Sequence, residues 1–204
     1  CRFGKLHVLL SNYEEKRKDG MNGTEFFLKK NKIPAKNGIV IEPSVFQGVF
    51  TLRIGCGGRL AYEVKTTGKE AHSSVPSKGI NAIYKMQEVI QSIRSIKPAK
   101  AAVHGNKLEA EFSVNKISGG RATNIIPGEC TATVERRIIP GEDIKKLRKR
   151  IEPKLKGSEY TITREQSPYL IDPKEKIVGS VRNIMKTVIG YEPKLKVTPA
   201  RTDS

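Results

Sequence analysis

Hydrophobic and polar residues along the chain follow the periods of helices and strands. Apolar residues recur at helical spacing between Ile80 and Ile93 and predict an amphipathic helix. Further helices are predicted at 23–30, at 140–155 and at 174–189. Alternating or continuous apolar runs predict strands at 6–10, 38–41, 48–54, 60–66, 108–117, 129–138, 160–164 and 194–197.

The order of these elements predicts two kinds of domain. The glycine cluster Gly55-Cys-Gly-Gly58 marks a boundary. Residues 59–166 then read strand-helix-strand-strand-helix-strand, which is the split βαβ order of ferredoxin-like folds. We therefore predict an α+β ferredoxin-like domain at 59–166, inserted into an α/β domain formed by 1–58 and 167–204. The chain opens without Met and stops soon after a strand-like run, so we expect an internal fragment with an incomplete α/β domain.

Composition narrows the possible partners. The formal net charge of +17 favours an anionic partner such as nucleic acid or an acidic substrate. The basic residues are spread over several segments, however, which is typical of a solvated basic surface. No apolar run approaches the 18 residues of a membrane span, so no membrane partner is expected. Three irregularly spaced cysteines indicate free thiols in a reducing cytoplasm.

Two acidic motifs follow predicted strands in the first part of the chain. Adjacent carboxylates repel, so Glu14-Glu15 either binds a cation or is a solvated turn neutralised by the basic residues after it. In the first case one carboxylate would bind a metal while the other acts as a general base. Glu42 could likewise be a hard oxygen ligand for Zn²⁺ or an ordinary loop acid.

Two further motifs fall in the predicted ferredoxin-like domain. His72, in Gly68-Lys-Glu-Ala-His72-Ser-Ser, sits in a polar loop where it could donate a hydrogen bond to an oxyanion or simply be exposed. Asn124 follows the glycine-rich turn Ser118-Gly-Gly120, and Arg137 lies in the next predicted strand. An amide and a guanidinium near one another could bind a carboxylate.

These motifs, in this order, resemble the di-zinc hydrolases that include acetylornithine deacetylase, succinyl-diaminopimelate desuccinylase, aminoacylase and glutamate carboxypeptidase. The resemblance covers nearly the whole chain. Its motifs are Glu-Glu, Glu-Pro-Ser, Gly-x-x-Ala-His-Ser-Ser-x-Pro, Gly-Gly-x-x-x-Asn-x-Ile-Pro and Arg-x-x-Pro-Gly-Glu. It implies an α/β catalytic domain with an inserted lid domain at 59–166 that forms a homodimer.

The resemblance also assigns roles to residues. It implies Glu14 as general base, with Glu15 and Glu42 each binding one of two zinc ions, for which cobalt or manganese could substitute. His72 is implied to reach a partner subunit's site and stabilise the tetrahedral intermediate. Asn124 and Arg137, with Arg136 beside it, are implied to bind the substrate's carboxylate. Thr202 and Asp203 resemble a segment that lines the returning catalytic domain.

The sequence also departs from the family pattern. The remaining zinc ligands would lie before Cys1 and beyond Ser204, and Glu135 replaces an aspartate. We therefore expect hydrolysis of a small N-acyl amino acid or peptide by the parent protein, with weak zinc binding and no activity in this chain alone. The alternative is a basic module for dimerisation or nucleic-acid binding. An RNA-binding sheet needs surface aromatics, and the strands at 108–117 and 129–138 carry only Phe112.

Overall fold

The structure, a computed structural model, describes residues 23–33, 37–41 and 45–199. Residues 23–41 of this set belong to one compact unit and residues 45–199 to another. Helix α1 (Gly23–Lys30) confirms the first predicted helix. The strand predicted at 38–41 is wrong: its described residues form no regular structure, and Ile41 is 96% exposed. The strand predicted at 6–10 lies outside the described part of the chain.

Residues 45–199 contain the remaining helices and strands. The strands are β1 (Val45–Phe46), β2 (Val49–Cys56), β3 (Gly58–Thr67), β4 (Ala99–Val103), β5 (Asn106–Ala110), β6 (Phe112–Gly119), β7 (Glu129–Ile138), β8 (Glu159–Gln166), β9 (Tyr169–Leu170) and β10 (Lys194–Thr198). The helices are α2 (Ala82–Arg94), α3 (Ile144–Ile151) and α4 (Lys176–Ile189), with 3-10 turns at Pro76–Lys78 and Glu152–Leu155. The predicted helix at 140–155 is therefore shorter and ends in a 3-10 turn.

A four-stranded antiparallel sheet in the order β6-β7-β3-β8 carries α2 and α3 on one face. Alternate residues of β3 face the helices, and Leu60, Tyr62 and Val64 are almost fully buried there. The other face of the sheet is mostly polar. This α+β layer confirms the predicted ferredoxin-like fold.

Local sequence explains where the two helices begin. The Asn81 side chain accepts a hydrogen bond from the Ile83 N–H. The Asp143 carboxylate accepts hydrogen bonds from the N–H groups of Lys145 and Lys146, the second and third residues of α3. Such caps satisfy donors that have no partner inside the helix. Helix α2 then buries Met86, among others, at helical spacing against the sheet. The segment between β3 and α2 contains the loop that carries His72.

A second sheet contains β1, β2 and β10, with β9 also paired to β2. Strand β10 runs parallel to β2, and Ile54, Val178 and Val197 belong to a second hydrophobic core.

The single strand predicted at 108–117 is two strands in the structure, β5 and β6. Leu108 of β5 joins this second core in a hairpin with β4, whereas Phe112 of β6 packs on the first. The domain boundaries near 58 and 166 remain a prediction. None of the helices in the described residues is long and apolar enough to cross a membrane.

Candidate functional site

The loop that carries His72 and the loop that carries Asn124 continue the ladder between β3 and β7. The Gly68 N–H donates to the Gly128 carbonyl at 2.7 Å, directly beyond the last residues of the two strands. The Ser73 N–H donates to the Asn124 carbonyl at 2.9 Å, so the pairing extends five residues further along this loop. The structure therefore brings His72 and Asn124 together at one end of the sheet.

The base of the His72 loop is closed by a reciprocal backbone pair. The Lys69 N–H donates to the Ile80 carbonyl at 2.8 Å, and the Ile80 N–H donates back at 2.9 Å. A Cβ atom on Gly68 would lie 2.0 Å from the Ile80 carbonyl oxygen. The first glycine of the Gly68-Lys-Glu-Ala-His72 motif is thus required by the close approach of two chain segments.

The exposed imidazole of His72 is oriented by Ser74. The Ser74 backbone N–H donates to Nδ1 at 3.2 Å, and the Ser74 Oγ atom lies 2.8 Å from the same nitrogen. Because a backbone N–H can only donate, Nδ1 must carry a lone pair, and the ring proton of neutral His72 is on Nε2. The exposed ring therefore offers Nε2–H as a hydrogen-bond donor.

An ion pair joins the two loops beside His72. The guanidinium of Arg121 donates to both carboxylate oxygens of Glu70, at 2.9 and 2.7 Å. These hydrogen bonds hold the pKa of Glu70 below its usual range and raise the pKa of Arg121. A Cβ atom on Gly128 would approach Glu70 Cγ to 2.9 Å, so a side chain at this position would displace the side chain of Glu70. No local sequence pattern connects Glu70 with Arg121, so this pair could not be predicted from the sequence.

Arg137 lies at the opposite end of the sheet. It pairs with Arg59 in the β3–β7 register, whereas the His72 and Asn124 loops follow the Thr67–Glu129 pair. Eight residues of extended strand separate these two ends, or about 25 Å. The structure therefore does not bring Arg137 to His72 and Asn124 within one chain.

Arg136, the neighbour of Arg137, is buried and stabilises the fold instead of facing solvent. Its side chain is 1% exposed and donates to both carboxylate oxygens of Glu142, at 3.0 and 2.8 Å. The guanidinium also lies 5.6 Å from the Phe112 ring centroid. Glu142 accepts a further hydrogen bond from the Ile139 N–H. The Glu of the Arg-x-x-Pro-Gly-Glu motif therefore binds the buried arginine, not Arg137.

The metal ligands predicted from the sequence, Glu15 and Glu42, lie outside the described residues, as do Glu14, Thr202 and Asp203. Among the described residues, no three His, Cys, Asp or Glu side chains come close enough to hold a metal ion.

Comparison with known proteins identifies the family to which the chain belongs. The sequence model of the peptidase dimerisation domain matches residues 54–160, from the end of β2 to the start of β8. The chain belongs to the peptidase dimerisation domain family. The match includes the whole of α2 and three of the four strands of the central sheet, together with the His72 and Asn124 loops.

Relatives of this dimerisation domain include enzymes that remove acyl groups, according to their names. The chain is 28% identical over 212 residues to a succinyl-diaminopimelate desuccinylase of Nautilia profundicola, covering 98% of the chain and 56% of the relative. It is 33% identical over 144 residues to an acetylornithine deacetylase of Myxococcus xanthus, covering 67% of the chain and 35% of the relative. The chain thus spans about half the length of these relatives or less.

Solved structures support the same fold. A tripeptidase of Staphylococcus aureus aligns with a TM-score of 0.60 at 22% identity, covering 75% of this chain and 41% of that one. A di-peptidase of Saccharomyces cerevisiae aligns with a TM-score of 0.57 at 14% identity, covering 74% and 45%. At these identities the likeness shows the fold alone.

Proposed function

We propose that this chain is part of a metal-dependent amide hydrolase that cleaves a small N-acyl amino acid or peptide, with the dimerisation domain supplying residues to the active site. The observation that carries the proposal is the Nε2–H donor of the exposed His72, on a loop whose backbone pairs with the Asn124 loop. The relatives named as a desuccinylase and a deacetylase favour an acyl group on nitrogen as the bond cleaved.

His72 is suited to stabilise an oxyanion. Attack on an amide carbonyl moves negative charge onto the carbonyl oxygen, and a preorganised donor aimed at that oxygen lowers the barrier. Nε2–H is such a donor in the neutral ring, because Ser74 occupies Nδ1. Asn124, exposed beside it, offers an amide that can bind the same substrate.

Arg137 is suited to bind the substrate's carboxylate. A guanidinium binds a carboxylate bidentately, and the side chain of Arg137 is 43% exposed. A small substrate cannot bridge about 25 Å of strand between Arg137 and His72 of one chain. We therefore infer that an active site combines Arg137 of one copy with His72 and Asn124 of a second copy.

The unpaired edge of the central sheet supports such a dimer. Strand β6 is an edge strand that is exposed along nearly all its length. Val114 and Ile117 oppose Val134 and Ala132, so they border the helix-covered face, yet they are 38% and 53% exposed. An exposed apolar edge of this kind favours pairing with another strand.

If β6 pairs antiparallel with β6 of a second copy, the central sheets of the two copies run in opposite directions. Gly119 at one end of β6 would then approach Phe112 of the partner strand, by the two-fold symmetry of such an interface. Phe112 pairs with Arg136, so this end carries Arg137, whereas Gly119 leads towards Asn124. The His72 end of one copy would thus lie beside the Arg137 end of the other.

The metal ions are part of the proposal. We infer zinc as the metal, with Glu15 and Glu42 contributing one carboxylate each and the other ligands outside this chain. Bound zinc would supply an activated water and polarise the carbonyl. Glu14 would accept the proton of the attacking water and pass it to the leaving nitrogen. Because a catalytic zinc ion has three protein ligands, we expect weak zinc binding and no hydrolysis by the 204-residue chain alone.

The free thiols of Cys56 and Cys130 favour the reducing cytoplasm as the location of the protein.

The test measures hydrolysis of N-acetyl and N-succinyl amino acids, together with zinc content. It compares the 204-residue chain with a longer protein that contains it and the remaining ligands. We expect stoichiometric zinc and amide hydrolysis in the longer protein alone. Absence of hydrolysis from a zinc-loaded longer protein, over a panel of acyl groups, would contradict the proposal.

A further inference from the structure

A buried carboxylate lies between two arginines at the end of the sheet opposite His72. Glu135 is 5% exposed. Arg59 Nη2 donates to Glu135 Oε2, and Arg137 Nε lies 3.3 Å from Glu135 Oε1. A buried carboxylate is strongly disfavoured unless it is paired, and here each oxygen faces a different guanidinium. All three side chains share the polar face of the sheet, because Arg59 and Arg137 are directly opposite each other and Glu135 is two residues from Arg137.

The contact with Glu135 leaves the outer edge of Arg137 available. A guanidinium has five N–H donors in a fixed plane, and here Nε is the atom directed at the carboxylate. Among the described residues, its terminal nitrogens have no ion-pair or hydrogen-bond partner. The side chain is nevertheless 43% exposed. Glu135 thus holds the near edge of the group while the far edge faces solvent, ready to donate to an anion.

Arg59 has a different part in the cluster. Its Nε is buried and has no hydrogen-bond partner, so its only described polar contact through the guanidinium is with Glu135. A buried donor without a partner costs free energy, which makes a purely stabilising role a poor explanation. Arg59 neutralises Glu135 and leaves the three-residue cluster with one net positive charge. An approaching anion is therefore attracted by Arg137 and not repelled by Glu135.

We propose that Glu135 is a positioning residue for Arg137 and that Arg59 is its counter-charge. Together they make the free edge of Arg137 a binding site for the carboxylate of an N-acyl amino acid. The identity of this anion rests on the proposed function. The positioning of Arg137 by Glu135 does not, because it depends only on contacts within β3 and β7.

The experiment is nitrogen-15 NMR of the Arg137 Nε–H group in the 204-residue chain, assigned by its loss in Arg137→Lys. N-acetyl-L-alanine is then titrated, with its methyl ester as the uncharged control. We expect a sharp Arg137 signal that shifts with the acid and not with the ester. Glu135→Gln keeps the shape of the side chain and removes its charge. We expect this variant to broaden the signal and to raise the Kd of the acid about tenfold, as for loss of a charged hydrogen bond.

Two further variants make the outcome unambiguous. Glu129→Gln changes another acid on the same strand and face, paired with Lys65 at the far end, and should alter neither the signal nor the Kd. Arg59→Gln should keep the Arg137 signal sharp but weaken acid binding, because Glu135 is no longer neutralised. If Glu135→Gln fails to fold, Arg59→Gln still tests the counter-charge half of the proposal.

The outcomes separate the two levels of the proposal. An Arg137 signal that is unchanged in Glu135→Gln overturns the positioning role of Glu135. If the wild type binds the acid, unaltered acid binding in a folded Arg59→Gln overturns the counter-charge role of Arg59. If the signal broadens in Glu135→Gln but the wild type never responds to the acid, the positioning role stands and the carboxylate assignment of the proposed function fails.

Discussion

His72 and Arg137 lie at opposite ends of the ladder between β3 and β7. The His72 loop continues past the Thr67–Glu129 pair, whereas Arg137 pairs with Arg59 at the other end. One chain therefore presents two separate halves of a proposed active site. In the proposed dimer, two copies joined at their β6 edges would bring unlike halves together, and the dimerisation domain would then contribute to catalysis as well as to assembly.

The hydrogen bonding of His72 predicts that its two nitrogens differ in importance. Glutamine can place an amide N–H near the position of Nε2, whereas asparagine reaches only the position of Nδ1. In the active longer protein, we expect His72→Asn to lower kcat about a hundredfold or more, as for loss of an oxyanion donor, and His72→Gln to lower it less. Steady-state kinetics of the two variants measure this. Equal losses would contradict an Nε2–H donor.

The buried pair of Arg136 with Glu142 predicts a large effect on stability. Glu142→Ala leaves a 1% exposed guanidinium without its carboxylate, and we expect a loss of about 3 kcal/mol in the free energy of unfolding. Urea denaturation measures the loss. Glu109→Ala removes the exposed partner of Lys100 and serves as the matched control, with little measurable change expected. A small effect of Glu142→Ala would show that Arg136 is solvated in solution.

The pair of Glu70 with Arg121 predicts a pH-dependent stiffness of the two loops. The pKa of Glu70 is lowered in the folded chain, so the pair stabilises the loops above the usual carboxyl range and is lost as pH falls through the lowered pKa. Hydrogen exchange at the Ser73 and Ile126 amides, which close the loops, reports this. We expect lower protection factors, which correct for the intrinsic pH dependence of exchange, in Arg121→Gln and in acid, and also in high salt because the pair is exposed. Protection factors equal to those of the wild type at neutral pH would contradict this role of the ion pair.

The β6 edge predicts the site of dimerisation. Ile117→Asp places two like charges near the two-fold axis, and we expect about a hundredfold rise in the dimer Kd. Sedimentation equilibrium measures this. Ile184→Asp, at a 64% exposed apolar position on α4, is the control and should leave the dimer intact. If Ile184→Asp dissociates the dimer and Ile117→Asp does not, the interface lies elsewhere.

The sequence predicts helices and strands correctly where the local spacing of apolar residues determines the structure. Helix α2 follows from its apolar spacing, and β7 from alternation over ten residues. The break between β5 and β6 could not be predicted, because alternation continues through Leu108, Ala110 and Phe112 while the chain passes from one core to the other. Which sheet a strand joins is decided by distant partners.

Short hairpins and buried charges were missed for related reasons. Strands β4 and β5 turn through His104-Gly105, both with positive φ, and Asn106 supports the turn by donating to the Val103 and His104 carbonyls. His-Gly is a weaker hairpin signal than Asn-Gly. Alternation likewise places Arg136 and Arg137 on opposite faces but does not say which face is buried.

The most direct test of the shared active site mixes two inactive variants of the longer protein, His72→Ala and Arg137→Ala. After exchange of subunits, half of the dimers should be mixed, and one of the two sites in each mixed dimer should contain both residues. We expect hydrolysis to recover to about a quarter of the wild-type rate, from the symmetry of a two-fold dimer. No recovery, although mixed dimers form, would contradict a site built from two copies.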